Sequence, residues 1–174
     1  NPDLIQKNRF FTNYVLKPDD GAGSENTKIF PTLEQAINEK EKLNGSGRKY
    51  ILEKFIEGYA MSFSMLCFED CLEVISIKKQ IIKIFPDGKI SFIKNSFINQ
   101  ELSKSLKPKI FSIAKKLRKA IPGLMGFVGV DFILDKNNNI FVLEVNPRLT
   151  CSFLGLSNHL NRPLSEEILK IFIK

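Results

Sequence analysis

Apolar residues alternate with polar ones over most of this chain, and the alternation stops at turn-forming residues. Tyr14-Val15-Leu16-Lys17 reads as a short strand ended by Pro18, and Lys28-Ile29-Phe30 as a second before Pro31. The period then lengthens. Thr32 is placed to cap a helix, Gln35 follows three residues on, and Leu33, Ala36, Ile37 and Leu43 form its apolar stripe. Asn44-Gly45-Ser46-Gly47 ends that helix, and Tyr50–Ile56 predicts a strand broken at Glu57-Gly58. Beyond Ala60 the strands lengthen to Met61–Phe68, Leu72–Phe85 and Lys89–Ile93, an antiparallel meander with turns at Glu69-Asp70 and Pro86-Asp87-Gly88. Asn99–Ala120 is helical in pattern, with Leu102, Leu106, Ile110, Ile113, Ala114 and Leu117 on one side. Two short helices are expected at the end, around Cys151–Leu160 and over Leu164–Ile173, the second after Pro163 with Ser165 as its cap. The pattern is α+β, with a small lobe over residues 1–58 and a larger one over 59–174.

Between the long helix and the last two lies Gly126–Arg148, GFVGVDFILDKNNNIFVLEVNPR. Val128–Leu134 and Ile140–Val145 are strand-like, and Asp-Lys-Asn-Asn-Asn between them is hairpin chemistry. A turn at Lys136–Asn139 sets Asp131 directly opposite Glu144. Val130, Phe132, Leu134, Phe141, Leu143 and Val145 then share one apolar face, and Gly129, Asp131, Ile133, Val142, Glu144 and Asn146 the other. Directly opposed side chains have Cβ atoms about 5 Å apart, where two carboxylates repel. A divalent cation removes that conflict, because hard cations take carboxylate and amide oxygens together, and Asn146 offers such an oxygen on the same face. A β-bulge would shift the register and dissolve the pairing, leaving two solvated acids.

Composition changes the picture only slightly. The 174 residues are 43% hydrophobic and 26% charged, ordinary for one globular domain or two small lobes. The net charge of +7 invites a nucleic-acid reading. The lysines, however, are spread along the chain without a basic block, and the aromatics are fifteen phenylalanines to three tyrosines, mostly at strand positions where a core uses them. A basic surface also suits polyanionic small molecules such as nucleotides. Cys67, Cys71 and Cys151 are an odd count with His159 as the sole histidine, too few ligands for a zinc site and consistent with reduced thiols. No apolar run approaches a membrane helix and no signal peptide opens the chain, so the expectation is a cytoplasmic protein without membrane or nucleic-acid partners.

Two further stretches carry candidate chemistry. Asp19–Thr27, DDGAGSENT, follows Lys17 at a strand end and is rich in glycine and small polar residues. Gly21 and Gly23 would let backbone amides approach an anion closely, as in a flap over phosphates, although taken alone the stretch reads better as an ordinary loop. Glu53-Lys54-Phe55-Ile56 leads into the glycine break between the lobes. Lys78, Lys79 and Gln80 lie on a strand that could line a cleft, but exposed sheet lysines are common, and His159 reads as a surface or capping residue.

A lysine before a glycine-rich flap, a Glu-Lys-Phe-Ile strand before a glycine break, and an Asp with Glu-x-Asn on one face of a late hairpin occur here in one order. Together they resemble the ATP-grasp superfamily of carboxylate–amine ligases, over Tyr14 to about Leu160. The resemblance implies two α+β lobes with ATP between them and an antiparallel sheet in the larger. It implies that Lys17 contacts the phosphates, that Gly21, Ala22, Gly23 and Ser24 form the flap, and that Glu53, Lys54, Phe55 and Ile56 form the adenine hinge. Asp131, Glu144 and Asn146 would hold Mg²⁺ (or Mn²⁺), and Arg148 would face the transferred phosphoryl group or the carboxylate. The implied reaction is ATP-dependent amide formation from a small carboxylate and an amine through an acyl phosphate. Asn-Pro-Arg-Leu-Thr with Ser-Phe-Leu-Gly resembles an archaeal subgroup that includes the tyramine–glutamate ligase of methanofuran biosynthesis. Relatives usually carry a preceding domain, so the chain is expected to be the core of a larger ligase, inactive alone if that domain completes the site. A homodimer is compatible with this. Two features depart from the pattern: Gly129 stands where many relatives have a basic residue, and no acidic residue after the hinge is an obvious ribose ligand. The rivals are a nucleotide-binding module without activity of its own and a basic nucleic-acid-binding domain.

Overall fold

In the computed structural model, which describes residues 13–21 and 23–173, strands β1 (Tyr14–Pro18), β2 (Lys28–Phe30) and β3 (Tyr50–Lys54) form an antiparallel sheet in the order β2-β1-β3. Helix α1 (Leu33–Leu43) lies between β2 and β3 in sequence. Its start follows from one side chain: Thr32 Oγ1 accepts the Gln35 amide at 3.2 Å, satisfying an otherwise orphaned first-turn donor. Leu16, Phe30 and Ala36 are buried together, with Tyr14, Leu43, Tyr50 and Leu52 packed on them. These elements belong to one compact unit, Asn1–Tyr59 with Gln80–Lys94 and Asp135–Asn138. The inserted segment Gln80–Lys94 continues the edge of β2. Ile29 N–H donates to Gly88 O at 2.8 Å, Ile90 N–H donates to Thr27 O at 3.0 Å, and Lys28 bridges Lys89.

The second unit comprises Ala60–Lys79, Asn95–Leu134 and Asn139–Lys174. Strands β4 (Tyr59–Cys67), β5 (Leu72–Ile84), β6 (Ile90–Phe97), β7 (Gly126–Leu134) and β8 (Ile140–Asn146) form a five-stranded sheet in the order β6-β5-β4-β7-β8. The central strand β4 is buried on both faces from Ala60 to Cys67, which accounts for its almost unbroken apolar and small-residue sequence. Phe63 on β4 and Phe132 on β7 meet at 6.0 Å between ring centroids. Helix α2 (Gln100–Ala120) is capped by Asn99, whose Oδ1 accepts the Leu102 amide at 2.9 Å, and it buries Leu106, Ile110 and Ala114 from the expected stripe. A second cluster joins Leu66, Ile75 and Phe127 to Leu156 of α3 (Leu156–Leu160) and Leu164 of α4 (Leu164–Phe172). Arg162 ties this end down, its guanidinium reaching both Glu73 carboxylate oxygens (2.6 and 3.0 Å) and Glu167 (2.6 Å). No helix among the described residues is long and apolar enough to cross a membrane.

Three local expectations change. Cys151–Leu160 is not one helix: a 3₁₀ turn over Cys151–Phe153 is separated from α3 by Gly155, whose φ of 69° a right-handed helix does not accept. Helix α4 starts directly after Pro163 with no side-chain cap from Ser165, the fixed proline φ setting the chain's entry. Strand β6 runs on to Phe97 rather than stopping at Ile93.

Gly88 has a φ of 85°, and a Cβ there would lie 2.2 Å from Ile29 O. Gly88→Ala is therefore expected to destabilise the protein by about 1–3 kcal/mol, read from the urea midpoint. An unchanged midpoint would show that the hairpin tip yields without cost.

Candidate functional site

The β7–β8 hairpin sets Asp131 opposite Glu144, Val130 opposite Val145 and Gly129 opposite Asn146. A bulge does occur, between Asp131 and Phe132, and from there Phe132 pairs with Val142, Ile133 with Phe141 and Leu134 with Ile140. The extra residue lies on the turn side of the acidic pair, so the pair survives while Phe141 and Val142 exchange the faces expected of them. The loop is correspondingly one residue longer than a four-residue turn. Asp131 is half-buried and Glu144 exposed. Asn146, 8% exposed, presents its Oδ1 to the Arg148 guanidinium at 3.2 Å. Two carboxylates and an amide oxygen on one sheet face are a hard-oxygen set, suited to Mg²⁺ and unsuited to zinc. Among the described residues no cluster of three or more His, Cys, Asp or Glu side chains competes with it.

The backbone after Asn146 forms a short arch. Arg148 N–H donates to Asn146 O at 2.8 Å, and Arg148 Nη1 donates to Leu149 O at 3.3 Å. A Cβ on Gly129 would lie 2.9 Å from Thr150 Cγ2 and 3.2 Å from its Oγ1. Gly129 pairs with Asn146, so both feet of the arch rest at this glycine and Arg148 lies at its middle. The departure at Gly129 thus has a physical cause: Thr150 occupies the volume that a side chain there would need. Asp131 lies two positions after Gly129 along the strand, so the arch and the acidic pair share a face.

In the first unit, Lys17 and Glu53 lie on neighbouring strands, with Val15 opposite Glu53 and Lys17 opposite Ile51. The Lys17 ammonium is 2.9 Å from the Glu53 carboxylate, which joins the expected phosphate lysine to the first residue of the expected hinge. Strand β3 ends at Lys54, and Phe55 N–H donates to Asn13 O at 2.8 Å, so Phe55 and Ile56 leave the ladder. Gly21, Gly23 and Ser24 lie in the β1–β2 loop, where Gly23 (φ 62°), Ser24 (φ 63°) and Asn26 (φ 52°) are left-handed and Thr27 N–H donates to Ser24 O at 3.2 Å. Ala22 lies outside the described residues. The loop is anchored by Asp20, whose carboxylate accepts from Arg48 Nε at 2.6 Å and is held below the usual carboxylate range by that hydrogen bond.

Three residues that the sequence left in the background converge near the arch. Lys78 is 3% exposed and donates from Nζ to Ser152 O at 2.6 Å. The Ser152 hydroxyl lies 3.0 Å from Ser64 Oγ and 2.6 Å from Thr150 Oγ1. The available signal was the polar alternation Ser62, Ser64 on β4, a strand otherwise almost wholly apolar, and Ser76, Lys78 on β5. His159 stacks on Phe97 at 3.6 Å between centroids, and Cys67 is buried, its thiol pushed up by desolvation.

A family profile described as an ATP-grasp domain matches residues 3–152. The chain is 28% identical over 172 residues to a tyramine–L-glutamate ligase of Methanocaldococcus jannaschii, covering 95% of this chain and 50% of that protein. It is 30% identical over 145 residues to one from Methanocaldococcus fervens, covering 82% of this chain and 40% of that protein. The chain thus spans half or less of the length of these relatives. Among solved structures it is similar to a biotin carboxylase in complex with β,γ-ATP from Campylobacter jejuni, with TM-score 0.70 and 18% identity over 91% of this chain and 36% of that one. The two α+β units, the order of their elements and the match over most of the length place this chain in the ATP-grasp family.

Proposed function

We propose that the chain is the nucleotide-binding core of an ATP- and Mg²⁺-dependent carboxylate–amine ligase. The observation that carries this is the acidic pair Asp131/Glu144 with Asn146 beside it, in a chain of the ATP-grasp family. Phosphoryl transfer demands positioning and neutralisation of charge more than covalent help from the protein. Asp131, Glu144 and Asn146 would hold Mg²⁺, which supplies that neutralisation along the triphosphate. Glu53 to Ile56 would take the base edge through the Lys54 carbonyl and the Ile56 amide. Lys17, drawn from Glu53, would take phosphate oxygens, and Gly21 to Ser24 would close over them.

A substrate carboxylate oxygen then attacks the γ-phosphorus, ADP leaves, and an acyl phosphate results. Arg148 would steady the carboxylate and the incoming phosphoryl oxygens with its planar, forked guanidinium. An uncharged amine next attacks the acyl carbon, its proton is lost, and inorganic phosphate departs as the amide forms. The names of the two relatives make an acidic amino acid and an aromatic amine such as tyramine the first pair to assay.

Glu144→Ala in the full protein is expected to lower ATP-dependent amide formation by about 10²-fold or more, with an unchanged circular-dichroism melt. Near-normal turnover in a folded Glu144→Ala protein would refute the site. Lys17→Met is expected to weaken nucleotide binding by about tenfold, since charge-assisted hydrogen bonds are worth about 1.5–3 kcal/mol. A dissociation constant for ATP equal to that of the wild type would remove Lys17 from the nucleotide site.

A further inference from the structure

A buried lysine ordinarily finds a carboxylate. Among the described residues, Lys78 meets none. Its ammonium donates to Ser152 O and sits 4.3 Å from the centroid of the Phe97 ring, which in turn stacks on His159 of α3. Desolvation pushes its pKa below the ordinary lysine value, so the position is costly for a cation that only fills space. Its neighbours are polar as well: Ser62 is its cross-strand partner, and Ser64 faces Ser76. Ser62 Oγ is buried without a hydrogen-bond partner among the described residues. A methionine would pack this volume at less cost.

What Lys78 holds is the far foot of the arch. Ser152 is fixed twice, through its carbonyl by Lys78 and through its hydroxyl by Ser64 and Thr150. Thr150 presses on Gly129, and Phe153 N–H donates to Thr150 O at 2.9 Å. The near foot is already fixed, because Asn146 pairs with Gly129 in the β-ladder. Phe153 is held by its ring, edge-on to Phe127 at 5.4 Å, but without the Lys78 bond the Ser152 carbonyl loses the contact that ties it to β5.

We infer that Lys78 is a positioning residue, a latch from β5 onto Ser152 that fixes the arch and with it the guanidinium of Arg148. This rests on the proposed role of Arg148 at the reacting carboxylate, so the test separates the two. Lys78→Met, Lys78→Arg, Arg148→Ala and the double variant Lys78→Met/Arg148→Ala are made in the full protein. Two readouts are taken: amide exchange of residues 147–156, which needs no activity, and ligase kinetics. The latch predicts exchange about tenfold faster in Lys78→Met and near wild-type in Lys78→Arg, which can still donate to the carbonyl and stack on the ring. It predicts kcat lowered by about 10–100-fold with the KM for ATP little changed, the signature of a misplaced group rather than lost nucleotide binding. The double variant should be no slower than Arg148→Ala. Unchanged exchange in Lys78→Met overturns the latch, and so do losses that multiply in the double variant, because Lys78 would then act apart from Arg148. Full activity in Arg148→Ala with fast exchange in Lys78→Met would instead sink the role of Arg148 and leave the latch standing. If Lys78→Met does not fold, Ser64→Ala loosens the same foot, and unchanged exchange there overturns the inference.

Discussion

Two carboxylates held face to face on neighbouring strands are the constraint around which the larger unit is organised. The β7–β8 ladder sets Asp131 directly opposite Glu144, an arrangement in which like charges repel, and the ladder cannot relax without slipping register. The bulge after Asp131 takes up the irregularity of the loop on the turn side and leaves Gly129–Asp131 in step with Glu144–Asn146. Register, and with it the whole oxygen set, is thereby insulated from the turn. In the proposed function, a cation taking both carboxylates and the Asn146 oxygen would convert the repulsion into binding energy.

The same glycine that completes the ladder also seats the arch. With no side chain at Gly129, Thr150 comes down onto the strand, and Pro147–Leu149 are held between two feet at one residue. Arg148 hydrogen-bonds to Asn146 Oδ1, so the guanidinium and the proposed metal ligand are positioned by one short segment. In the smaller unit the pairing of Lys17 with Glu53 joins β1 to β3.

Much of this was legible in the chain. Strands and helices followed from period and punctuation: Thr32 caps where its side chain suggests, and the Leu106–Ile110–Ala114 stripe is the buried one. The Asp131/Glu144 pairing was read from a four-residue turn at Lys136–Asn139; the loop has five residues, and the bulge after Asp131 restores that register on the site side. The faces of Phe141 and Val142 were not readable, since a bulge depends on how a five-residue loop closes and not on local alternation. The Thr150–Ser152 foot and Lys78 were opaque for another reason. They are 74 residues apart in sequence, and a lysine on a strand gives no sign of whether it meets water or a carbonyl. Gly155, by contrast, could have warned that Cys151–Leu160 would break, as it supplies the left-handed step there.

The central claim is that the acidic hairpin face binds a metal–nucleotide complex. Calorimetric titration of the full protein with a non-hydrolysable ATP analogue, first with Mg²⁺ and then with EDTA, tests it most directly, alongside Asp131→Asn. The account predicts tight binding with Mg²⁺, loss of most of that affinity in EDTA, and a variant whose affinity no longer depends on the metal. Binding of equal strength with and without Mg²⁺, or a variant that keeps the full metal dependence, would contradict it.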